Sequence, residues 1–378
     1  MTKKEGDSVK VGILSFPNSA SYGATLQMFA LYHTVEKLGH EPEIINYFSP
    51  YMRAGKHTSR DGTVSVRFAL KILASRILHD KVFRAFVAFE KRNMVLFPKN
   101  AVTDKSRLPE IGNRYGAVIT GSDQVWNPYI TNFDMSYFLD FCSSETKRIS
   151  YAPSFGIEKF PEGFCDMIRS DIEKFKAVSV REMSGKGMLS EEMGIEPSVV
   201  LDPTMLVPAE QWAKLASNKK CGKGDYVLCF AVRSSKTLIE KCREIALQEG
   251  LRVVVIGGNV IKKIKNRDPL IEYCCDISPE EWLGLMHNAR YVMTNSFHGT
   301  AFSIIFRKDF YLELSSRTNS RMSHLVSALG LEDRMVDRDS SIVPTSIDYS
   351  VAEERLSELS ASSLEYLKNS LCEVELDG

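Results

Sequence analysis

A single histidine follows a strand-like run near the carboxyl end of the chain. The run YVMTNSFHGTAFSIIF, residues 291–306, is apolar at first, becomes polar at Asn295 and Ser296, and is apolar again beyond Gly299. A histidine at the start of the helix predicted from TAFSIIF is disfavoured as imidazolium unless an anion is bound. His298 is therefore a candidate proton donor to a substrate or a phosphate ligand, and the alternative is a structural imidazole that caps the helix or packs in the core.

A second cluster of polar residues follows another predicted strand. In VITGSDQVWNP, residues 118–128, the side chains of Ser122 and Asp123 offer hydrogen-bonding groups next to the ring of Trp126. A carboxylate beside an aromatic ring suits a sugar, because the ring packs on the sugar face while the carboxylate accepts a hydroxyl proton. The alternative is that Asp123 caps a helix and Trp126 belongs to the core.

Two arginines follow short apolar runs in the two halves of the chain. Arg181 ends the run in SVREMSG, and Arg233 takes the equivalent place in CFAVRSSKT. A guanidinium offers a planar fork of donors to phosphate or carboxylate, so a pair of arginines would match a small dianion. An internal salt bridge is the alternative for Arg181.

The loop after the first predicted strand opens a helix, ATLQMFALYHTVEKLG, which we expect to end at Gly39 with a left-handed residue. This stretch, SFPNSASYGATLQ, lacks the glycine spacing of a dinucleotide fingerprint, which removes the main support for an oxidoreductase. The free N–H groups at the start of a helix favour an anion or a sugar hydroxyl, and an ordinary strand-to-helix turn is the alternative. Tyr22, Gly23 and Gln27 are the candidate substrate-binding residues in this stretch.

Composition sets the broad class of the protein. The chain has 378 residues with 44% hydrophobic residues, and 48 basic residues balance 48 acidic ones. This length fits two globular domains, and the zero net charge gives no support for nucleic acid as a partner. The eight cysteines follow neither a disulfide framework nor a common zinc spacing, so we expect reduced thiols, a cytoplasmic location and no bound metal.

The elements that must position these residues follow an α/β rhythm. Apolar runs alternate with amphipathic helices, which predicts two Rossmann-like domains with a ligand cleft between them. The first domain spans residues 1–210 and carries a basic helical insert at about 51–109, with helices predicted from TVSVRFALKILASRILH and KVFRAFVAFEKRNMVLF. The second spans residues 211–345, and residues 346–378, with the amphipathic pattern SVAEERLSELSASSLEYLKNSL, form a helix that packs back on the first domain.

Six stretches in order resemble the motifs of the polysaccharide pyruvyl transferase family. They are NSASYGATLQMFAL, VITGSDQVWNP, YAPSFG, VSVREMSG, VVLDPTML and TNSFHGTAFSIIF. The resemblance implies a fold similar to GT-B glycosyltransferases and transfer of pyruvate from phosphoenolpyruvate to a sugar as a cyclic ketal. The implied partners are phosphoenolpyruvate, the donor, on the second domain and a glycan or lipid-linked sugar, the acceptor, on the first domain. No cofactor is implied, and the basic insert leaves peripheral membrane contact open.

The resemblance also implies roles for individual residues. His298 matches the family histidine that is implicated in phosphoenolpyruvate binding and catalysis, and Arg181 matches an arginine expected on phosphate or carboxylate. Some members have arginine where this chain has Ser296, so an anion ligand could come instead from Arg233, Arg317 or Arg321.

These matches lead to one hypothesis and two rivals. With His298 as the acid or phosphate ligand, Asp123 is the base or hydroxyl acceptor, while Arg181 and Arg233 form the anion clamp. The rivals are a GT-B-type glycosyltransferase or sugar-nucleotide enzyme, and a glycan-binding protein without activity.

Overall fold

The structure is a computed structural model that describes most of the chain. The described residues are 8–53, 81–217, 221–233, 235–256, 268–314, 319–336 and 342–372. The helix expected from TVSVRFALKILASRILH, in the middle of the predicted insert, and Arg317 both lie outside these ranges.

The first compact unit contains a parallel six-stranded sheet. Its spatial order is β3-β2-β1-β4-β5-β6, with every neighbouring pair parallel. The strands are β1 Lys10–Leu14, β2 Glu41–Tyr47, β3 Leu96–Val102, β4 Ala117–Asp123, β5 Lys147–Pro153 and β6 Phe175–Ala177. The central strands are apolar because helices cover both faces of a parallel sheet, and Val11, Ile13, Val118 and Ile119 are completely buried.

Helices and a small two-stranded sheet surround this first sheet. The helices are α1 Tyr22–Lys37, α2 Pro50–Arg53, α3 at residues 81–93, α4 Leu108–Gly112, α5 Pro128–Thr131, α6 Phe164–Ile172 and α7 Met183–Met193. The small sheet pairs β7 Ser179–Val180 with β8 Ser198–Val199. Helix α1 ends before Gly39, whose φ of 95° confirms the predicted left-handed residue after the helix.

The second compact unit repeats the architecture of the first. Its spatial order is β11-β10-β9-β12-β13-β14, again with all neighbours parallel. The strands are β9 Tyr226–Phe230, β10 Arg252–Ile256, β11 Ile271–Cys274, β12 Tyr291–Thr294, β13 Asp309–Glu313 and β14 Met335–Val336. Its helices are α8 Ala209–Leu215, α9 Lys236–Glu249, α10 Pro279–Asn288, α11 Phe297–Ile305 and α12 Asn319–Ala328.

The last helix, α13 Ser350–Leu371, has the bounds expected from its sequence pattern. The first unit contains the residues up to Leu206 and those from Leu359, and the second unit spans Val207–Glu358. The final turns of α13 therefore belong to the first unit, where Tyr366 Oη donates to the carbonyl of Ser150 at 2.9 Å.

The predicted helical insert is wrong at its carboxyl end. The pattern KVFRAFVAFEKRNMVLF suggested one helix, but α3 ends at residue 93 and β3 begins at Leu96. Residues Ile44 and Ile45 pair with Leu96 and Phe97, so the segment is the edge strand of the first sheet. An edge position also tolerates Pro98, which lacks an N–H to donate.

The cysteines also differ from the expectation of reduced thiols. Cys221 and Cys274 form a disulfide, with their Cα atoms 6.4 Å apart. The two cysteines lie in separate sequence segments, so no local spacing signalled the pair. Among the described helices, none combines the length and the apolar content that crossing a membrane requires.

Candidate active site

Both large sheets reverse their strand order at one point, and Asp123 and His298 lie at the carboxyl ends of strands that border these points, β4 and β12. Arg181 and Asp202 come instead after β7 and β8 of the small sheet. In the first sheet the reversal lies between β1 and β4, and in the second between β9 and β12. Ligands of open parallel sheets bind outside the carboxyl ends of the strands at such a switch point. We call Asp123, Arg181, Glu182 and Asp202 the amino-terminal half-site, and Arg233, Asn295, His298 and Glu313 the carboxyl-terminal half-site.

His298 is the second residue of α11, directly after β12. The residue before the helix, Ser296, caps it by accepting a hydrogen bond from the N–H of Gly299 at 3.3 Å. His298 is only 7% exposed, and its ring meets that of Phe297 edge-on with 5.2 Å between the centroids. The structure thus places an imidazole beside the partial positive charge of a helix start, which favours an anionic ligand there.

Gly299 and Ser296 fix the start of the helix. A Cβ atom on Gly299 would lie 2.2 Å from Oγ1 of Thr294, so only glycine fits. That hydroxyl is fixed because it donates to the carbonyl of Phe230 at 2.7 Å and accepts from the N–H of Ser296 at 3.1 Å. Ser296 and Gly299 thus hold His298 in place through capping and close packing, and the substrate-binding roles predicted for them stay predictions.

Asn295 holds the loop that carries Arg233. Its Oδ1 accepts from the N–H of Val232 at 3.0 Å, and its Nδ2 donates to the carbonyl of Arg233 at 3.0 Å. Asn295 Nδ2 also lies 3.4 Å from Oε2 of Glu313, whose Oε1 accepts from Ser235 Oγ at 2.8 Å. Arg233 itself is exposed, so its guanidinium can meet an anion from solvent.

Arg181 lies among three carboxylates in the amino-terminal half-site. Its Nη1 is 2.8 Å from Oδ2 of Asp202, its Nη2 is 3.7 Å from Oδ1 of Asp123, and its Nε is 3.8 Å from Oε2 of Glu182. The side chains of Arg181, Glu182 and Asp202 are at most 1% exposed, whereas that of Asp123 is 15% exposed. Asp123 is therefore the member of the group that can touch a ligand.

The surroundings of Arg181 change its predicted role. Burial alone would lower the pKa of its guanidinium, but Asp202, Asp123 and Glu182 outweigh burial and raise the pKa. One cation among three carboxylates leaves the group with excess negative charge, which disfavours a further anion. The structure supports the internal salt bridge that was the alternative for Arg181, and not an anion clamp.

Sequence reasoning missed Asp202 and Glu182 as site residues. Oδ1 of Asp202 accepts from the N–H of Thr204 at 3.0 Å and from its hydroxyl at 2.7 Å. Glu182 Oε1 accepts from Ser154 Oγ at 2.7 Å. The signal was present, because Asp202 directly follows the short apolar run VVL, as Asp123 follows VITGS.

Ser122 and Gln27 connect the ends of β1 and β4 inside the unit. The N–H of Ser122 donates to Oε1 of Gln27 at 2.9 Å, and Gln27 Nε2 donates to Ser15 Oγ at 2.7 Å. Ser122 Oγ lies 2.8 Å from the carbonyl of Ala152 and 3.2 Å from Oδ2 of Asp202. Ser122 and Gln27 are completely buried, so the substrate contacts predicted for them are corrected to internal hydrogen bonds.

Trp126 belongs to the core of the first unit, as the alternative interpretation held. It is completely buried, stacks on Phe138 with 5.2 Å between ring centroids, and donates through Nε1 to the carbonyl of Tyr137 at 3.0 Å. Its ring has no exposed face, so it cannot pack against a sugar. The prediction failed because a sequence does not reveal which aromatic ring is covered by other rings.

The loop after β1 is tied to α3 through Glu90, which sequence reasoning also missed. Both carboxylate oxygens accept from the N–H of Asn18, at 3.1 and 3.3 Å, and Oε1 also accepts from Thr25 Oγ1 at 3.2 Å. Glu90 is completely buried, and burial raises the pKa of its carboxyl to about 7 against the opposing effect of these hydrogen bonds.

The remaining predicted residues have less distinctive positions. Tyr22 is half-buried, with its ring centroid 5.0 Å from that of Phe86, and Gly23 is buried in α1. Arg321 is half-buried on α12.

A family comparison decides the identity of the chain. The family model described as polysaccharide pyruvyl transferase matches residues 22–312, which is more than half of the chain. The chain belongs to the polysaccharide pyruvyl transferase family. No curated protein sequence matches this family member significantly.

Solved structures of other proteins share the GT-B-like fold of this family member. A Listeria monocytogenes protein provisionally assigned as a UDP-N-acetylglucosamine 2-epimerase is 11% identical, with a TM-score of 0.51 over 97% of this chain and 91% of that one. The co-structure of S. aureus MnaA with UDP gives 12% identity and a TM-score of 0.50 over 97% and 93% of the chains. Arabidopsis thaliana UGT89C1 complexed with UDP-L-rhamnose gives 10% identity and a TM-score of 0.50 over 97% and 100%. Identities this low support the fold alone.

Proposed function

We propose that this family member transfers a pyruvyl group from phosphoenolpyruvate to two hydroxyls of a sugar, forming a pyruvate ketal. The sugar belongs to a polysaccharide or to its lipid-linked precursor, and the reaction takes place in the cytoplasm. Family membership supports pyruvyl transfer to a polysaccharide. The observation that carries the choice of donor is His298 in the first turn of α11, because an imidazole at a helix start suits an anionic substrate that must also receive a proton.

The chemistry requires an acid, a base and stabilisation of negative charge. Proton transfer to C3 of the enol develops positive charge at C2, which a sugar hydroxyl attacks. Phosphate leaves as the bond between C2 and its bridging oxygen breaks, and a second hydroxyl attacks C2 to close the ring. Of the two hydroxyl protons released, one restores the acid and the other is taken up by phosphate, so the reaction needs no cofactor.

We assign the donor to the carboxyl-terminal half-site. His298 acts as the acid or binds the phosphate, and the N–H groups at the start of α11 add partial positive charge. Arg233 supplies the mobile guanidinium, since its side chain is exposed while its backbone is held by Asn295. This replaces the two-arginine clamp expected from sequence with one arginine and a helix start.

We assign the sugar hydroxyls to the amino-terminal half-site. Asp123 is the proposed base or hydroxyl acceptor because it retains exposed surface beside otherwise buried groups. Arg181, with Asp202 and Glu182, is a positioning group that fixes the Asp123 carboxylate and does not touch the substrate.

The donor assignment is tested by titrating phosphoenolpyruvate into the protein by calorimetry. We expect wild type to bind, and His298→Ala and Arg233→Ala to bind at least tenfold more weakly. His287→Ala is the matched control, since His287 lies on α10, where its ring packs against Phe306 at 5.0 Å. Wild-type affinity in His298→Ala, or no binding in wild type, would show that the donor assignment is wrong.

Turnover is tested by phosphate release from phosphoenolpyruvate with glycans that carry two neighbouring hydroxyls. Loss of the proposed acid is expected to lower kcat/KM by about 10²–10⁴-fold in His298→Ala. Asp123→Asn is expected to lower turnover while leaving calorimetric binding of phosphoenolpyruvate unchanged. Equal loss of phosphoenolpyruvate binding in Asp123→Asn would contradict the division between donor and acceptor residues.

One observation favours the alternative of a sugar-nucleotide enzyme. Glu313 is the last residue of β13, the strand beside β12, and a carboxylate at the carboxyl end of a strand in Rossmann-like sheets can bind ribose hydroxyls. Its two oxygens already accept from Ser235 and Asn295, so we rank this function second. Tight binding of a UDP- or GDP-sugar that is lost in Glu313→Gln, without a response to phosphoenolpyruvate, would reverse this ranking.

A further inference from the structure

Three potential metal ligands meet in the second unit, away from the carboxyl-terminal half-site. Cys221 lies in the segment that leads into β9, and Glu272 and Cys274 lie on β11. Residues two apart on a strand share one face, so both β11 side chains point toward the same segment. The two sulfurs and a carboxylate oxygen of Glu272 lie within 4.8 Å of one another.

The neighbouring groups hold this cluster together independently of the disulfide. The N–H of Gly222 lies 3.4 Å from Oε2 of Glu272, and Nη1 of Arg252 lies 3.6 Å from the same oxygen. Nη2 of Arg252 donates to the carbonyl of Lys223. Arg252 therefore connects the segment of Cys221 to the carboxylate on β11 through contacts that do not involve either sulfur.

We propose that, in the reduced protein, Cys221, Cys274 and Glu272 bind one Zn²⁺ ion. Zinc prefers four tetrahedral ligands drawn from thiolate, imidazole and carboxylate, with water able to fill a fourth position. The charges suit this ion, because two thiolates, one carboxylate, Zn²⁺ and the guanidinium of Arg252 sum to zero. Zinc–sulfur bonds of about 2.3 Å place the two sulfurs roughly 3.8 Å apart. Once the disulfide is reduced, the two cysteine side chains need to separate only slightly to reach this distance.

The disulfide and the metal site are alternative states of the same two sulfurs. A dithiol reductant supplies two electrons and two protons, so that the S–S bond becomes two thiols and the reductant becomes a disulfide. Zinc binding then displaces the two thiol protons. Oxidation reverses the sequence and releases the ion, which makes metal occupancy depend on the thiol redox state. The proposal departs from the expectation of no metal that followed from cysteine spacing.

The test uses the full chain, reduced under anaerobic conditions and freed of reductant, and titrated with Co²⁺ as a spectroscopic probe for the zinc site. We expect thiolate-to-cobalt charge-transfer absorption and tetrahedral ligand-field bands that saturate at one ion per chain and disappear when Zn²⁺ is added. Cys221→Ser and Cys274→Ser should each abolish the thiolate band. Glu272→Gln should weaken binding by roughly tenfold or more.

Cys275→Ser is the matched control because Cys275 adjoins Cys274 but lies outside the cluster. It should bind Co²⁺ like wild type. The proposal is overturned if reduced wild type gives no thiolate band, if the band survives in Cys221→Ser, or if Cys275→Ser loses it. Glu272→Gln, which changes only a partly exposed carboxylate, separates ligand loss from misfolding when its circular dichroism matches wild type. Phosphoenolpyruvate binding measured on the same variants should be unchanged, so this proposal and the proposed function fail independently.

Discussion

At the scale of single residues, the amino-terminal half-site depends on a buried ion pair. Arg181 and Asp202 are 2.8 Å apart, and neither side chain is more than 1% exposed. Replacing Asp202 removes a buried, charge-assisted hydrogen bond, while Asp123 and Glu182 still face the guanidinium at 3.7 and 3.8 Å. A substitution that weakens this pair should therefore lower the stability of the first unit and also disturb the orientation of the Asp123 carboxylate.

We predict that Asp202→Asn destabilises the protein by about 1.5–3 kcal/mol, because Arg181 loses the charged acceptor of its shortest contact. Urea unfolding measures the change. Asp268→Asn is the matched control, since the Asp268–Arg243 pair is also 2.8 Å apart but its side chains are 24% and 50% exposed. Asparagine can still accept from the N–H of Leu270, so this change should alter stability little. Equal effects of the two substitutions would mean that burial does not decide the strength of the Arg181 pair.

We predict that Glu90 makes stability fall as the pH rises from about 4.5 to about 7. Burial raises the pKa of its carboxyl from 4.5 to about 7, so in this window the folded protein binds more protons than the unfolded chain. The rise corresponds to roughly 3 kcal/mol at most. In Glu90→Gln, urea unfolding at several pH values should show a correspondingly flatter profile.

The control for the Glu90 experiment is Glu110→Gln, which removes an exposed carboxylate from α4. If the stability of Glu90→Gln falls through this pH window as much as that of wild type, a group other than Glu90 is responsible for the pH dependence.

At the scale of elements, the start of α11 is set by contact with the end of β12. Ser296 caps the helix, and Thr294 lies against Gly299 so closely that no side chain fits between them. The position of His298 follows from these contacts, because a displaced first turn would carry the imidazole with it. A change at Gly299 should thus reduce both stability and donor binding.

We predict that Gly299→Ala destabilises the protein by about 1–3 kcal/mol, the usual cost of overpacking, and weakens phosphoenolpyruvate binding. Thermal unfolding and calorimetry measure the two effects. Gly187→Ala is the matched control, because Gly187 lies in α7 with no neighbour closer than 3.9 Å to its added Cβ and should be neutral or stabilising by up to about 1 kcal/mol. Unchanged stability and binding in Gly299→Ala would show that the first turn of α11 adjusts without moving His298.

At the scale of the whole molecule, the chain returns to its first unit through the end of α13. Oη of Tyr366 donates to the carbonyl of Ser150 on β5, and Ser363 Oγ accepts from the N–H of Leu201 at 3.0 Å. Leu367 and Leu371, at most 1% exposed, bury the apolar side of these turns. The first unit is thus completed by residues from the far end of the sequence.

We predict that truncation after Glu358 destabilises the first unit more than the second. The three tryptophans report this separately, since Trp126 lies in the first unit while Trp212 and Trp282 lie in the second. With the other tryptophans replaced by phenylalanine, urea should unfold the Trp126 reporter of the truncated chain at a lower concentration. The tryptophans of the second unit, measured in Trp126→Phe, should change less, and parallel shifts in both reporters would contradict this division.

The sequence by itself determined the elements whose signals are local. The alternation of apolar runs and amphipathic helices predicted the two α/β units, and α13 begins and ends where its periodicity indicates. The glycine after α1 and the strand-to-helix turn at His298 were also visible, because both depend on neighbouring residues. Backbone preference and hydrophobic spacing are determined by residues that lie close together in the sequence, so a short window is enough to detect them.

Only the tertiary structure decided which polar side chains stay exposed and which form internal hydrogen bonds and ion pairs. Gln27 accepts a hydrogen bond from Ser122, 95 residues away, and Glu90 accepts from Asn18 across 72 residues. Arg181 has the residue type of an anion ligand, yet Asp202 neutralises it, and Trp126 has the type of a sugar platform, yet Phe138 covers it. Burial and ion pairing depend on which distant segments the fold brings together, and the type and spacing of residues along the chain do not record that choice.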